Sequence, residues 1–97
     1  MYLVIFKATI AEFDDEYFHT AAKLKELAFS KYGCIDFISA TESNEEIAIS
    51  YWQSEQQIHA WKNDPMHLLA QESSRGKWYQ SYRVEICELK RSYGATE

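Results

Sequence analysis

The sequence predicts an α+β domain in which one four-stranded antiparallel sheet carries its helices on one face. Segments with strand-like and helix-like hydrophobic periodicity follow one another in the order β-α-β-β-α-β. A chain of 97 residues is long enough for one hydrophobic core but not for two. This order is the split βαβ pattern of the ferredoxin-like fold, and we expect residues 1–97 to form one domain with 90–97 as a C-terminal tail.

Composition and charge exclude several classes of protein. The chain is 46% hydrophobic with three glycines and one proline, which is typical of a globular protein. Its net charge of -5, with ten basic residues scattered among fifteen acidic ones, argues against nucleic acid as a partner. The apolar start reaches Lys7 without a basic n-region or a small-residue cleavage site, so we expect a cytoplasmic protein with no membrane contact.

The first half of the chain predicts a strand followed by a helix. Residues 2–10 are rich in β-branched and aromatic side chains, and both alternating sets are apolar for much of this length, which indicates a strand buried on both faces. A helix is expected over 15–31 because Asp14 and Asp15 suit a helix N-terminus and apolar residues follow at steps of three or four. Gly33 is suited to end it.

The strands of the second half form a hairpin and a separate final strand. Residues 34–41 and 46–52 are expected to pair through the polar turn at 42–45. Alternation returns at 82–89, where we expect the last strand of the sheet.

Two helices are expected between the hairpin and the last strand. Ser54 and Gln57 have the Ser-x-x-Gln spacing of a capping box, which predicts the start of a short helix. Asp64 followed by Pro65 is typical of an N-cap and first helical residue, and a second helix is predicted over 65–79.

The face of the sheet that carries no helix is expected to be covered by a second copy of the chain. A solvated face would show polar residues at every second position, whereas the third strand sets Ala48 and Trp52 against an Ile47, Ile49 and Tyr51 set. Sheet-to-sheet packing around a twofold axis would bury this surface, so a homodimer is predicted. The alternative is a monomer with a somewhat apolar face.

The predicted helix over 65–79 has two neighbouring sides. One side carries His67, Gln71, Ser74 and Trp78. The other, more apolar side carries Met66, Leu69, Ala70 and Ser73. Because a helix on a sheet buries its apolar side, the His67 side is expected to border a cleft. His67 is the candidate general base, since imidazole titrates near neutral pH; a partly exposed histidine without function is the alternative.

Aromatic residues are dense in the same part of the chain. Trp61 could form the wall of a ligand pocket or belong to the core. Further candidate pocket residues are Trp52, Trp78, Tyr79 and Tyr82. Their rings suit a flat apolar ligand and equally suit a filled interior.

No cofactor or metal site is predicted. The three glycines do not have the spacing of a dinucleotide or phosphate loop, and the histidines lack metal-ligand spacing. Cys34 and Cys87 lie in predicted strands and belong to no CxxC or His/Cys cluster.

A longer pattern then gives a family resemblance. It consists of Ser50-Tyr51-Trp52-Gln53-Ser54-Glu55, Ala60-Trp61-Lys62, Asp64-Pro65, His67-Leu68, Ala70-Gln71, Trp78-Tyr79 and Tyr82-Arg83-Val84. This pattern resembles the antibiotic biosynthesis monooxygenase family of dimeric α/β-barrel proteins. The resemblance implies a homodimer with a pocket between helices and sheet in each subunit.

The resemblance also implies an activity. Members oxidise small aromatic phenols, quinols or anthrones with O2 and without metal or flavin. Carried over to this chain, His67 would be the base, Gln71 the hydrogen-bond donor, and Trp61 and Trp78 the walls of the substrate pocket.

Two other functions stay open. A related branch degrades haem with a first-strand asparagine, a tryptophan matching Trp61 and a histidine ten residues later, but here that position is Gln71 and the first strand has no asparagine. Haem degradation is therefore disfavoured, although His67 could still bind haem iron. The other alternative is a small-molecule-binding dimer without catalysis.

Overall fold

A four-stranded antiparallel sheet in the order β2-β3-β1-β4 forms one layer of the computed structural model, which describes residues 1–74 and 77–96 without the side chains of Ser73 and Ser74. The strands are β1 (Tyr2–Ile10), β2 (Asp36–Glu42), β3 (Glu45–Trp52) and β4 (Tyr79–Glu88). β1 pairs with both β3 and β4, and β2 pairs with β3. This topology confirms the ferredoxin-like prediction.

Three helices form the second layer: α1 (Asp15–Ser30), α2 (Glu55–Lys62) and α3 (Pro65–Ser74). The Asp14 carboxylate accepts the backbone N–H of Tyr17 at 2.8 Å, and the Ser54 hydroxyl accepts that of Gln57 at 3.2 Å. Both side chains therefore cap the helices where the sequence predicts. None of the helices in the described ranges is long and apolar enough to cross a membrane.

The boundary between α3 and β4 differs from the prediction. α3 is described as far as Ser74, and residues 77–78 form a turn, so the helix does not continue to 79; β4 begins at Tyr79 instead of 82. The carbonyl of Trp78 accepts the N–H groups of Ala11 and Glu12 at 2.8 and 3.3 Å, and Tyr79 pairs with Ile10. Strand pairing thus extends the sheet into the segment that has helical periodicity in the sequence.

The core lies between the sheet and α1 and α2. Its buried residues are Val4, Ala28, Cys34, Trp52, Ile58 and Trp61. Because side chains alternate along a strand, the set containing Val4 faces the helices and the set containing Leu3 and Ile5 faces away from them.

The opposite face of the sheet is apolar at its centre. Ile49 is paired with Ile5 on one side and with Ile38 on the other, so three isoleucines form one row across β1, β3 and β2. Ile47 and Ile38 are 39% and 54% exposed in the single chain. A charged boundary runs along β4, where Lys7 pairs with Glu85 at 3.3 Å.

Candidate functional site

A cavity of about 320 Å³ lies between the sheet and the helices α1 and α3. Its walls include Phe6, Ala48 and Ser50 from the sheet, Tyr17 and Ala21 from α1, and His67 from α3. The volume is at the lower end of that found for small-molecule sites, and apolar and aromatic side chains form most of the wall. Such a cavity suits a small, flat ligand with few polar groups.

His67 lies in the wall of this cavity, against the ring of Trp61. The two rings meet edge to face with centroids 4.6 Å apart. Nδ1 of His67 is buried and has no hydrogen-bond partner among the described residues. Burial lowers the pKa of His67 below its ordinary value, so the imidazole is neutral at pH 7 and can accept a proton.

Trp61 is itself held in place. Its indole Nε1 donates to the carbonyl of Leu24 in α1 at 3.1 Å, and its ring packs against Trp52 at 5.2 Å and Phe37 at 6.2 Å. Trp61 therefore belongs both to the core and to the cavity wall. The sequence had left these two placements as alternatives.

Asp64 determines where α3 begins. Its carboxylate accepts the backbone N–H of Met66 at 2.9 Å and the hydroxyl of Tyr32, and its carbonyl accepts the N–H of Leu68 at 3.0 Å. The hydrogen bond from Tyr32 and that from Met66 lower the pKa of Asp64. The cap is thus tied to the end of α1, and it sets the position of His67 one turn further on.

Gln71 follows His67 by four residues and also lines the cavity. Its Nε2 donates to the Tyr82 hydroxyl of β4 at 3.4 Å, a long hydrogen bond. His67, Gln71 and Trp61 therefore border one cavity, and Tyr79 and Tyr82 border it from β4. The catalytic and binding roles of these residues stay predictions.

Two of the predicted pocket residues are placed differently from the expectation. Trp52 is fully buried behind Trp61 and does not line the cavity, because its indole donates to Ser50 inside the core at 2.8 Å. Trp78 does line the cavity, but from the turn before β4 and not from α3. The side chain of Ser74 lies outside the described residues.

The apolar side of α3 is more exposed than expected. Met66 and Leu69, on the side predicted to be buried, are 39% and 65% exposed. His67 and Gln71 line the cavity, as expected for the side that borders a cleft. The Asp64 cap and the contact between His67 and Trp61 determine the rotation of α3, and neither is visible in hydrophobic periodicity.

A polar cluster that was not predicted lies in the same cavity. Tyr17 donates to Oε1 of Glu46 at 2.8 Å, and the Tyr79 hydroxyl lies 3.2 Å from Oε2. The sequence does contain a signal for this cluster. Glu46 lies on the same side of β3 as Ala48, Ser50 and Trp52, so its carboxylate occupies a position on the face of the sheet that the helices cover.

Among the described residues, no group of three or more His, Cys, Asp or Glu side chains is placed to hold a metal ion.

A comparison with known protein sequences finds a clear relative. The chain is 34% identical over 91 residues to YqjZ of Bacillus subtilis, an uncharacterised protein, and the match covers 93% of this chain and 80% of the relative. A scan against models of known protein families finds no match.

Solved structures with the same fold include an oxygenase. SnoaB of Streptomyces nogalater, a cofactor-independent oxygenase, matches with a TM-score of 0.77 at 13% identity in its N63A mutant, over 94% of each chain. A proposed antibiotic biosynthesis monooxygenase of Nitrosomonas europaea matches with a TM-score of 0.76 at 13% identity, over 96% of this chain and 93% of that one. A conserved protein of Methanosarcina mazei matches with a TM-score of 0.77 at 16% identity, over 92% of each chain.

Proposed function

Since the chain belongs to the same family as YqjZ of Bacillus subtilis and has the fold of antibiotic biosynthesis monooxygenases, we propose that it oxidises a small aromatic phenol, quinol or anthrone with O2 and without a bound cofactor. The observation that carries the proposal is the position of His67, whose pKa is lowered by burial, in the wall of a cavity of about 320 Å³ built mainly from apolar and aromatic groups.

The proposed reaction begins with proton abstraction by His67. An aromatic substrate that loses a proton forms a carbanion delocalised into its ring oxygens, and this electron-rich anion can pass one electron directly to O2. Nδ1 of His67 is buried without a partner, so Nε2 would be the ring nitrogen that takes the proton from a substrate in the cavity. Gln71 Nε2 would donate to the enolate oxygen in place of its long bond to Tyr82.

For an anthrone, which has a CH2 group between its two aromatic rings, the atoms balance without an added reductant. The superoxide and the substrate radical combine to a peroxide on the carbon that lost the proton, and His67 returns that proton to the peroxide. Loss of water, which carries the second hydrogen of the same carbon, leaves a carbonyl. A CH2 group and O2 thus become C=O and H2O, with one oxygen atom retained in the product.

Oxygen-dependent turnover of dithranol or a related anthrone tests this proposal. In air, we expect quinone absorbance to increase at a rate proportional to protein concentration. This increase should stop under anaerobic conditions and resume when O2 is admitted. Binding measured by tryptophan quenching, without turnover in air, would overturn the monooxygenase proposal and leave a ligand-binding module.

The functional unit that we propose is a homodimer formed through the open faces of two sheets. The row of Ile5, Ile49 and Ile38 would lie at the centre of this contact. A twofold axis would bring the same apolar surface of each copy together, which removes it from water.

A further inference from the structure

We propose that the cluster of Tyr17, Glu46 and Tyr79 is a second ligand-binding point of the cavity, which accepts a hydroxyl group at the end of the ligand far from His67. This inference rests on the cavity described above as a ligand site. It concerns binding and orientation, and it does not depend on whether the ligand is oxidised.

The carboxylate of Glu46 keeps an accepting position for a ligand. Tyr17 donates to Oε1 at 2.8 Å, a normal distance for a hydroxyl donor. The single proton of Tyr79 is shared between Oε2 of Glu46 at 3.2 Å and the oxygen of Tyr17 at 3.3 Å, and both distances are long. Oε2 is therefore the less satisfied of the two oxygens.

The two tyrosines stay donors at neutral pH. Burial is the main cause that raises the pKa of both Tyr17 and Tyr79 above the ordinary value. Within the described part of the chain, Glu46 makes no ion pair with a lysine or arginine, so its oxygens are bound only by phenols. A ligand hydroxyl would add one more donor of the same kind.

The contacts of Trp61 place His67 toward the Ser50 end of the cavity wall, whereas the cluster lies at Glu46. Trp61, which contacts His67, also contacts Phe37, and Phe37 is paired with Ser50 of β3. Glu46 is four residues before Ser50, a distance of about 13 Å along an extended strand. A ligand that reaches both ends must therefore be longer than one aromatic ring.

The space between the two ends is bordered by aromatic rings. Phe6 packs against Tyr79 with centroids 5.3 Å apart and against Tyr82 at 5.8 Å, and all three rings line the cavity. Rings of this kind pack well on a flat apolar body. The ligand class that fits is a fused-ring aromatic with hydroxyl groups at both ends.

Binding of inert quinones tests this inference separately from the oxidation. 2,6-Dihydroxyanthraquinone carries a hydroxyl at each end, 2-hydroxyanthraquinone lacks one, and 2-hydroxy-6-methoxyanthraquinone replaces one by a group that cannot donate. Dissociation constants from tryptophan quenching should show the dihydroxy compound binding about tenfold more tightly than the other two, because the extra hydrogen bond goes to a carboxylate.

Variants identify the accepting group. The dissociation constants of Glu46→Gln for the three quinones should lie within about twofold of one another, because a hydrogen bond to a neutral amide is weaker than one to a charged group. Tyr79→Phe should keep the preference for the dihydroxy compound, because Oε2 loses only a shared donor. Glu45→Gln is the matched control, since Glu45 lies on the opposite face of β3, where it accepts from Thr9, and it should keep the preference of the wild type.

Two results would overturn the inference. Equal affinity of the wild type for the three quinones would remove the second binding point even if dithranol is oxidised, and this measurement needs no variant to fold. Loss of the preference in Glu45→Gln as strongly as in Glu46→Gln would show that the effect does not come from the cavity. Absence of turnover with an intact binding preference would overturn the proposed oxidation alone.

Discussion

Among the described residues, the side chain of His67 contacts the ring of Trp61, and its Nδ1 has no hydrogen-bond partner. Trp61 packs edge to face against it, and burial lowers its pKa. The two consequences for catalysis oppose each other: the neutral form predominates at pH 7, but a lowered pKa makes the imidazole a weaker base. The substrate would therefore need a proton that is already acidic, as in a phenol or an anthrone.

At the residue scale, we predict that His67→Gln lowers kcat for anthrone oxidation by about 10²–10⁴-fold, the usual contribution of a general base. In the wild type, kcat should rise with pH and level off, because only the neutral imidazole accepts a proton. The midpoint should lie below the ordinary histidine pKa of about 6.5, since the shift is downward. Stopped assays of quinone formation over a range of pH measure the kcat profile and its midpoint.

His59→Gln is the control for that variant, because His59 is exposed on α2 and hydrogen-bonded to Asn63. It should keep both kcat and the pH profile. An unchanged profile in His67→Gln would remove His67 from the reaction.

At the scale of the element, α3 is positioned mainly by its first residues. Its cap, Asp64, is bonded to Tyr32 at the end of α1, while the outer side of the helix leaves Leu69 exposed. A helix with little buried apolar surface depends more strongly on its cap. The placement of His67 and Gln71 in the cavity wall therefore depends on a hydrogen bond outside the cavity.

We predict that Asp64→Ala lowers the melting temperature by about 4–8 °C, the shift expected for one lost N-cap in a domain of this size. It should also raise KM for the anthrone, because α3 is less firmly placed. Asp64→Asn keeps an acceptor for the Met66 N–H and should lower the melting temperature by less. Thermal unfolding followed by circular dichroism compares the two, and equal melting temperatures of Asp64→Ala and the wild type would contradict the role of the cap.

Helix starts were easier to predict than helix ends and rotations. Asp14, Ser54 and Asp64 each cap a helix as expected, because an N-cap depends on one side chain and the next few backbone groups. The C-terminal end of α3 and the side that it turns inward depend on Trp78, Tyr79 and Trp61, which reach it only through the fold.

At the scale of the whole molecule, the two faces of the sheet have different surroundings. One face is covered by helices and carries the cavity, and the other presents the isoleucine row of Ile5, Ile49 and Ile38. Apolar surface of this kind is costly in water, and association of two copies would remove it.

We predict that the wild type sediments with twice the mass of one chain at micromolar concentration. Ile38→Lys should weaken association by roughly 100-fold or more, because the symmetric contact contains the substitution twice. Ile38 is 54% exposed in the single chain, so lysine there should leave the fold intact. The control is Leu69→Lys, which changes a side chain that is 65% exposed on the helical side. This variant should remain a dimer. A wild type that sediments as a single chain would contradict the prediction.

The sequence by itself determined the order of the elements, the helix starts and the two-faced sheet, because these depend on periodicity and on side chains near in sequence. Its resemblance to a known family also marked His67, Gln71 and Trp61 as a group. Only the tertiary structure decided that Trp61 of α2 meets His67 of α3 in the wall of one cavity, that Trp52 is core, and that Tyr17 and Tyr79 meet on Glu46. These placements come from contacts between residues that are far apart in the chain, and a local pattern does not contain them.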